Sequence, residues 1–225
     1  MDFVKSWRRR RRAIASLFLS AIPIAAGAQE VGVEVRDSGP AAVVERYVAE
    51  VADMTARFEQ KLYEADGELV EDETSFGSMQ LLRPDRFRLH YESPYEEIVT
   101  ADGEWIWQYD VELEQITCAP ISDLATSPAM LLSGDGKIEE SFEFADVESD
   151  DGLRWIELRP LEGDNEFRSA RIAFRDGIPD ALELIDEISR TTYVELSDVE
   201  VNSGLRRRDF EFDPPRGIDI VGECN

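Results

Sequence analysis

The sequence has a single histidine, His90, among its 225 residues. A Ser-His-Asp triad built elsewhere, a His-ligated zinc site and a histidine general base away from position 90 are therefore excluded. Cysteine is nearly absent: Cys118 and Cys224 are the only two, too few for a disulfide framework or a four-cysteine metal site. Positive charge is scarce too, with 24 Lys and Arg against 49 Asp and Glu and a formal net charge of −25. A nucleic-acid binder needs clustered bases to displace counterions from phosphates, so no nucleic-acid partner is expected. No apolar run approaches the roughly 20 residues of a membrane span. There is no Gly-x-Ser-x-Gly elbow, and acidic pairs such as Asp150-Asp151 and Glu139-Glu140 lack the spacing of a calcium loop. No enzyme, catalytic residue, metal or cofactor is expected.

What is present is a globular composition, 43% apolar and 32% charged, of the kind that folds around a core. Residues 1–28 read as a secretory signal: Lys5 and Arg8 to Arg12 form a basic stretch, Ala13 to Ile22 an apolar one, and Ala26-Gly27-Ala28 a small-x-small cleavage pattern. Cleavage after Ala28 is expected, leaving 29–225 as one exported domain. Those first residues carry six bases and one acid, so the remainder holds 18 bases against 48 acids. Only Lys61 and Lys137 remain as lysines there. So acidic a surface suits high salt, where self-repulsion is screened, and equally suits an ordinary acidic exported protein.

Periodicity divides the chain. Val44, Tyr47, Val48 and Val51 fall at helical spacing, with Ser38 as a candidate cap. The period then becomes two. Strands are expected over 54–63, 75–82 and 86–91, and in the last Phe87, Leu89 and Tyr91 share one face while Arg86, Arg88 and His90 share the other. Asp102-Gly103 between 97–101 and 104–109 is the strongest hairpin signal in the chain, and 115–119 follows. Ser127-Pro128 opens a short apolar helix to Leu132, stopped by Ser133-Gly134-Asp135-Gly136, and 137–142 reads as another helical turn. Short strands resume over 144–148, 153–161, 169–174, 181–186 and 191–201, and 210–215 is a last extended piece. About ten strands and two or three short helices make one domain on a large antiparallel sheet. His90 and Arg206-Arg207-Arg208 read as solvated side chains. A Cys118–Cys224 disulfide is left open: export permits it, and spacing does not decide it.

From about Val44 to Val221 the chain resembles the outer-membrane lipoprotein carrier proteins, the LolA family. The resemblance rests on Phe58-Glu59-Gln60, on Leu82-Arg83-Pro84-Asp85-Arg86-Phe87-Arg88, on Asp102-Gly103 with Trp107-Gln108-Tyr109-Asp110, on Leu113-Glu114-Gln115, and on the stretch Phe210 to Ile220 beginning Phe-Glu-Phe-Asp-Pro-Pro. It implies an incomplete, unclosed antiparallel β-barrel with a short α-helical lid over an apolar cavity. It also implies a monomeric periplasmic chaperone that shelters the acyl chains of triacylated outer-membrane-directed lipoproteins. Such a carrier would receive cargo from an inner-membrane ABC transporter and deliver it to an outer-membrane receptor lipoprotein. A periplasmic regulatory protein of the same fold, sensing lipid or envelope stress, is the alternative.

Residue by residue, Arg83 matches the arginine that resembles a latch between barrel and lid; a surface arginine beside a turn proline is the plainer alternative. Phe87 matches an inward aromatic, and Leu89 and Tyr91 join it as cavity candidates, with plain core packing as the alternative. Met130, Leu131 and Leu132 are assigned to the inner face of the lid. Trp105 and Trp107 share one strand face and are included with the cavity, although period two leaves the outside of the sheet equally open. The cysteine pair is not part of the family pattern.

Overall fold

The computed structural model describes residues 39–121, 128–134, 138–161, 167–222 and 224. The expected signal 1–28, the lead-in with Ser38, and Ser127, Asp135, Gly136 and Lys137 lie outside these. The first element is helix α1, Pro40–Glu50, with proline in its first turn and Val43, Val44 and Tyr47 on its buried face. Proline is tolerated there because the first amides of a helix have no intrahelical acceptor.

Six strands follow: β1 Asp53–Tyr63, β2 Ser75–Leu82, β3 Arg86–Ser93, β4 Glu97–Asp102, β5 Trp105–Asp110 and β6 Gln115–Pro120. Two short helices, α2 Pro128–Ser133 and α3 Ile138–Ser141, interrupt them. The strands then resume as β7 Phe142–Val147, β8 Arg154–Pro160, β9 Phe167–Arg175, β10 Ile178–Asp186, β11 Thr191–Val201 and β12 Asp219–Gly222. All belong to one 12-stranded sheet in the order β12-β6-β5-β4-β3-β2-β1-β11-β10-β9-β8-β7. Its two end strands do not pair, so this is the unclosed barrel the resemblance implies. β12 pairs with β6 in parallel; the remaining neighbours are antiparallel. The extended piece expected at 210–215 is instead the end of a 3-10 turn, Arg207–Phe210, and an irregular run. The final strand comes four residues later and is too short to show a period.

Cross-strand register separates the two faces. Phe87 pairs with Ala101 and Ala101 with Ile106, and all three sit in the main core. Ile172 pairs with Leu182, Leu182 with Val194 and Val194 with Gln60, carrying that face across the join between the halves. The join itself is β1 on β11, two 11-residue strands. Gly77 stands opposite Phe58, and a Cβ there would lie 2.7 Å from the Phe58 ring and 2.1 Å from the His90 carbonyl. A side chain at 77 would displace the ring, so glycine is required at that row.

The opposite, convex face is covered in part by the C-terminal segment. Phe210 is fully buried, Thr100 on β4 is fully buried beneath that segment's 3-10 turn, and the Phe212 ring stacks on Trp107 at 5.3 Å. Arg88 donates to the Glu211 carbonyl at 3.3 Å. The segment ends in β12, and Cys118 of β6 and Cys224 are joined by a disulfide with Cα atoms 6.1 Å apart, within the span such a bond bridges. The loop it closes is 106 residues long, so its removal chiefly frees the unfolded chain. The double variant Cys118→Ala/Cys224→Ala is expected to lose about 2–4 kcal/mol of stability, read as a lower urea midpoint, while near-UV circular dichroism stays native.

Candidate functional site

Arg83 follows β2 directly and turns its side chain toward the ends of two helices. Its Nε donates to the carbonyl of Val51, the residue that caps α1, at 3.0 Å. One terminal nitrogen donates to the Gly134 carbonyl just beyond α2, at 2.8 Å. The last carbonyls of a helix have no intrahelical donor, and a guanidinium carries enough N–H groups to serve two such ends at once. Asp85 adds a backbone amide to the Ser133 carbonyl at 3.0 Å. The Arg83 guanidinium also lies over the Tyr47 ring, 4.6 Å from its centroid, and the Tyr47 hydroxyl donates to the Leu132 carbonyl at 3.2 Å. One arginine and one tyrosine thus tie α1, α2 and the β2–β3 turn together. Burial lowers the Arg83 pKa from its ordinary value, opposed by Tyr47. Burial also pushes the Tyr47 hydroxyl up to about 12, which Arg83 only partly offsets.

Under α2 lies a cavity. Its wall is Phe58, Met79, Leu89, Ala129, Leu132, Leu182, Val194 and Leu196, with Gln60 and Tyr91 as its two polar members. The void is only about 20 Å³, roughly the space one water occupies. No acyl chain fits such a space as it stands. The Phe58 and Tyr91 rings meet edge to face at 5.1 Å, and burial pushes the Tyr91 hydroxyl up to about 12.

The residues singled out in the sequence are thus dispersed. Leu89, Tyr91 and Leu132 line the cavity. Phe87 faces the same side but is packed solid, 1% exposed, and Leu131 is likewise in the core with Met130 packed against it. Trp105 and Trp107 are not cavity residues. Trp107 pairs with Thr100, Thr100 with Arg88, and that row is convex. Asp102 holds it there: its carboxylate accepts the Trp107 indole N–H at 3.0 Å and the Glu104 and Trp105 amides at 2.9 and 2.8 Å. His90 is on the outside, 3.1 Å from Glu96.

Other cavity residues went unassigned in the sequence. Val194 and Leu196 alternate within β11, and Phe58 and Gln60 within β1. Their period was visible, but only the β1–β11 pairing brings both sets beside α2.

Known proteins similar to this chain share one family description. The family model "Outer membrane lipoprotein carrier protein LolA" matches residues 49–213. An outer-membrane lipoprotein carrier protein of Halorhodospira halophila is 37% identical over 185 residues, covering 81% of this chain and 86% of its own. One from Methylibium petroleiphilum is 32% identical over 208 residues, covering 92% and 98%. A LolA superfamily protein from Nitrosomonas europaea has a solved structure with TM-score 0.46 and 9% identity, covering 77% of this chain and 98% of that one. An unclosed, mainly antiparallel sheet with a short helix over its concave apolar face defines the fold class. Within it, the chain belongs to the LolA family of outer-membrane lipoprotein carriers.

Two outcomes follow. Arg83→Leu leaves the Val51 and Gly134 carbonyls without this donor, so amide hydrogen exchange over 129–134 is expected to accelerate by about tenfold or more while β8–β10 is unchanged, given about 1.5–3 kcal/mol for a bond to a charged group. Equal protection in both proteins would show that the contact does not hold α2. The tyrosines set an alkaline limit. A raised folded pKa favours the protonated phenol, so the contribution is whole below the unfolded value near 10 and is lost as pH rises toward about 12. Each tyrosine's contribution over that window is on the order of 2 to 3 kcal/mol. Urea unfolding at rising pH is expected to show this decline, and Tyr47→Phe with Tyr91→Phe to flatten it.

Proposed function

We propose that this protein is a periplasmic lipoprotein carrier whose cavity shelters the acyl chains of triacylated lipoproteins between the inner and outer membranes. The observation that carries the reading is the apolar cavity beneath α2, nearly collapsed at about 20 Å³ and held closed through one arginine. Membership of the LolA family gives the cargo its class. In this reading the chain is exported with residues 1–28 removed, works as a monomer, takes cargo from an inner-membrane ABC transporter and yields it to an outer-membrane receptor. It performs no covalent chemistry.

The energetics support the assignment. An exposed acyl chain costs about 0.8 kcal/mol per CH₂, so three chains of ordinary length stay out of water only inside a shelter. A shelter that is already open would expose its own apolar wall when empty. Here the empty state covers that wall with Ala129 and Leu132 of α2. Cargo must displace the helix, and the bonds to Val51 and Gly134 supply part of the return force. Binding is therefore weaker than the buried area alone would give, which is what release to a receptor requires. No helix among the described residues is long and apolar enough to cross a membrane.

The test is loading. The 29–225 chain is incubated with spheroplasts carrying triacylated lipoproteins, and the soluble fraction is examined by native mass spectrometry. A one-to-one complex with lipoprotein is expected. Lipoproteins that remain on the membrane while the folded protein and its transporter are both present would end the carrier reading. Arg83→Leu is expected to load but to deliver poorly to outer membranes, since the force that expels cargo is weakened; undiminished delivery would remove Arg83 from the mechanism.

A further inference from the structure

The cavity wall is apolar except at one place. Gln60 and Tyr91 stand side by side, and the Tyr91 hydroxyl donates to Gln60 Oε1 at 3.4 Å. Among the described residues this is the only side-chain hydrogen bond either makes. It is long for an O–H···O bond, whose usual distance is about 2.7–2.8 Å, so exchanging it for a ligand contact costs little.

The same two residues line a second space. On their other side opens a recess of about 300 Å³ walled by Asp72, Glu73, Ser75, Pro94, Tyr95 and Glu97. It occupies the rim where β1 ends, β2 begins, β3 ends and β4 begins, the end of these strands away from Arg83. Gln60 and Tyr91 therefore mark the boundary where the lining changes from hydrocarbon to polar and acidic.

We infer that the Gln60–Tyr91 pair is a head-group reader: it hydrogen-bonds the ester and amide carbonyls at the junction of an acylated ligand, while the recess beyond accepts a head group that bears no negative charge. This rests on the carrier reading and adds what selects the cargo. The chains of an amphiphile lie in the apolar part, so its carbonyls come to the point where the wall turns polar. There the phenol O–H and the amide NH₂ are donors facing acceptors. Acyl chains alone cannot distinguish a lipoprotein from the phospholipids that greatly outnumber it. The head can: an anionic phosphodiester in the recess would face the Asp72, Glu73 and Glu97 carboxylates, where like charges repel. A diacylglyceryl group carrying a neutral or basic peptide meets no such penalty.

The test uses the 29–225 chain with three probes: the uncharged hydrocarbon dye N-phenyl-1-naphthylamine, a tripalmitoylated cysteinyl peptide with a neutral tail, and dipalmitoyl phosphatidylglycerol. Displacement of the dye reports the two lipids. Wild type is expected to prefer the lipopeptide to the phospholipid by about tenfold or more. Tyr91→Phe and Gln60→Leu should each weaken lipopeptide binding about five- to tenfold relative to the dye measured on the same variant, as for one lost hydrogen bond. The triple variant Asp72→Asn, Glu73→Gln, Glu97→Gln, which lies outside the apolar lining, should bring the phospholipid up toward the lipopeptide. Unchanged lipid ratios in all these variants, with the dye still bound, would overturn the head-group assignment while leaving the carrier reading intact. Binding of the dye without the lipopeptide in wild type would overturn the carrier reading, and the head-group assignment with it.

Discussion

The closed form of this molecule depends on one guanidinium meeting two helix ends. α2 has only six residues, far below the length at which a helix is stable by itself in water. It persists because its apolar face covers the cavity and because Arg83 and Asp85 occupy the acceptors at its end. The same arginine holds the end of α1 through Val51, and Tyr47 lies between, its ring under the guanidinium and its hydroxyl on the Leu132 carbonyl. Three of these contacts, to Val51, Gly134 and the Tyr47 ring, share the Arg83 side chain, so they are lost together.

The sheet supplies the other half of that design. Twelve strands arranged without closure leave a concave wall lined by Phe58, Leu89, Leu182, Val194 and Leu196. A closed barrel of this size would be filled by its own side chains or enclose a fixed volume. The open one lets the helices act as the missing part of the core. When they cover it the void is small; when they leave, the wall is exposed and ready for hydrocarbon. In the proposed function, folding stability and ligand capacity are thus drawn from the same apolar surface, with α2 and the cargo as alternative occupants.

Much of this was legible in the residues. The alternation of Phe87, Leu89 and Tyr91 against Arg86, Arg88 and His90 assigned the two faces of β3 as the structure has them. Asp102-Gly103 marked the β4–β5 hairpin, and the change of period at Pro128 marked α2. Period two could not say which side of β5 is concave. Trp107 is turned outward by the carboxylate of Asp102 and covered by Phe212, contacts over 5 and 105 positions that no local pattern contains. The pairing of β1 with β11 is likewise non-local, and without it neither Phe58 nor Val194 is recognisable as cavity wall. Nor does a pattern report that Phe87 is packed solid while Leu89, two residues on, borders a void.

The segment that carries β12 protects one edge of the sheet. β12 pairs with β6 in parallel and is anchored by Cys224, so the strand that covers this edge comes from about a hundred residues further along the chain. Without β12, β6 offers a bare row of backbone donors and acceptors, the template on which a second chain adds a strand. Oxidation of the two thiols happens only in an oxidising compartment. A chain held in a reducing one would keep a tail free to leave β6, and with it an adhesive flank. The bond therefore holds β12, rather than β6, as the strand at that end of the sheet.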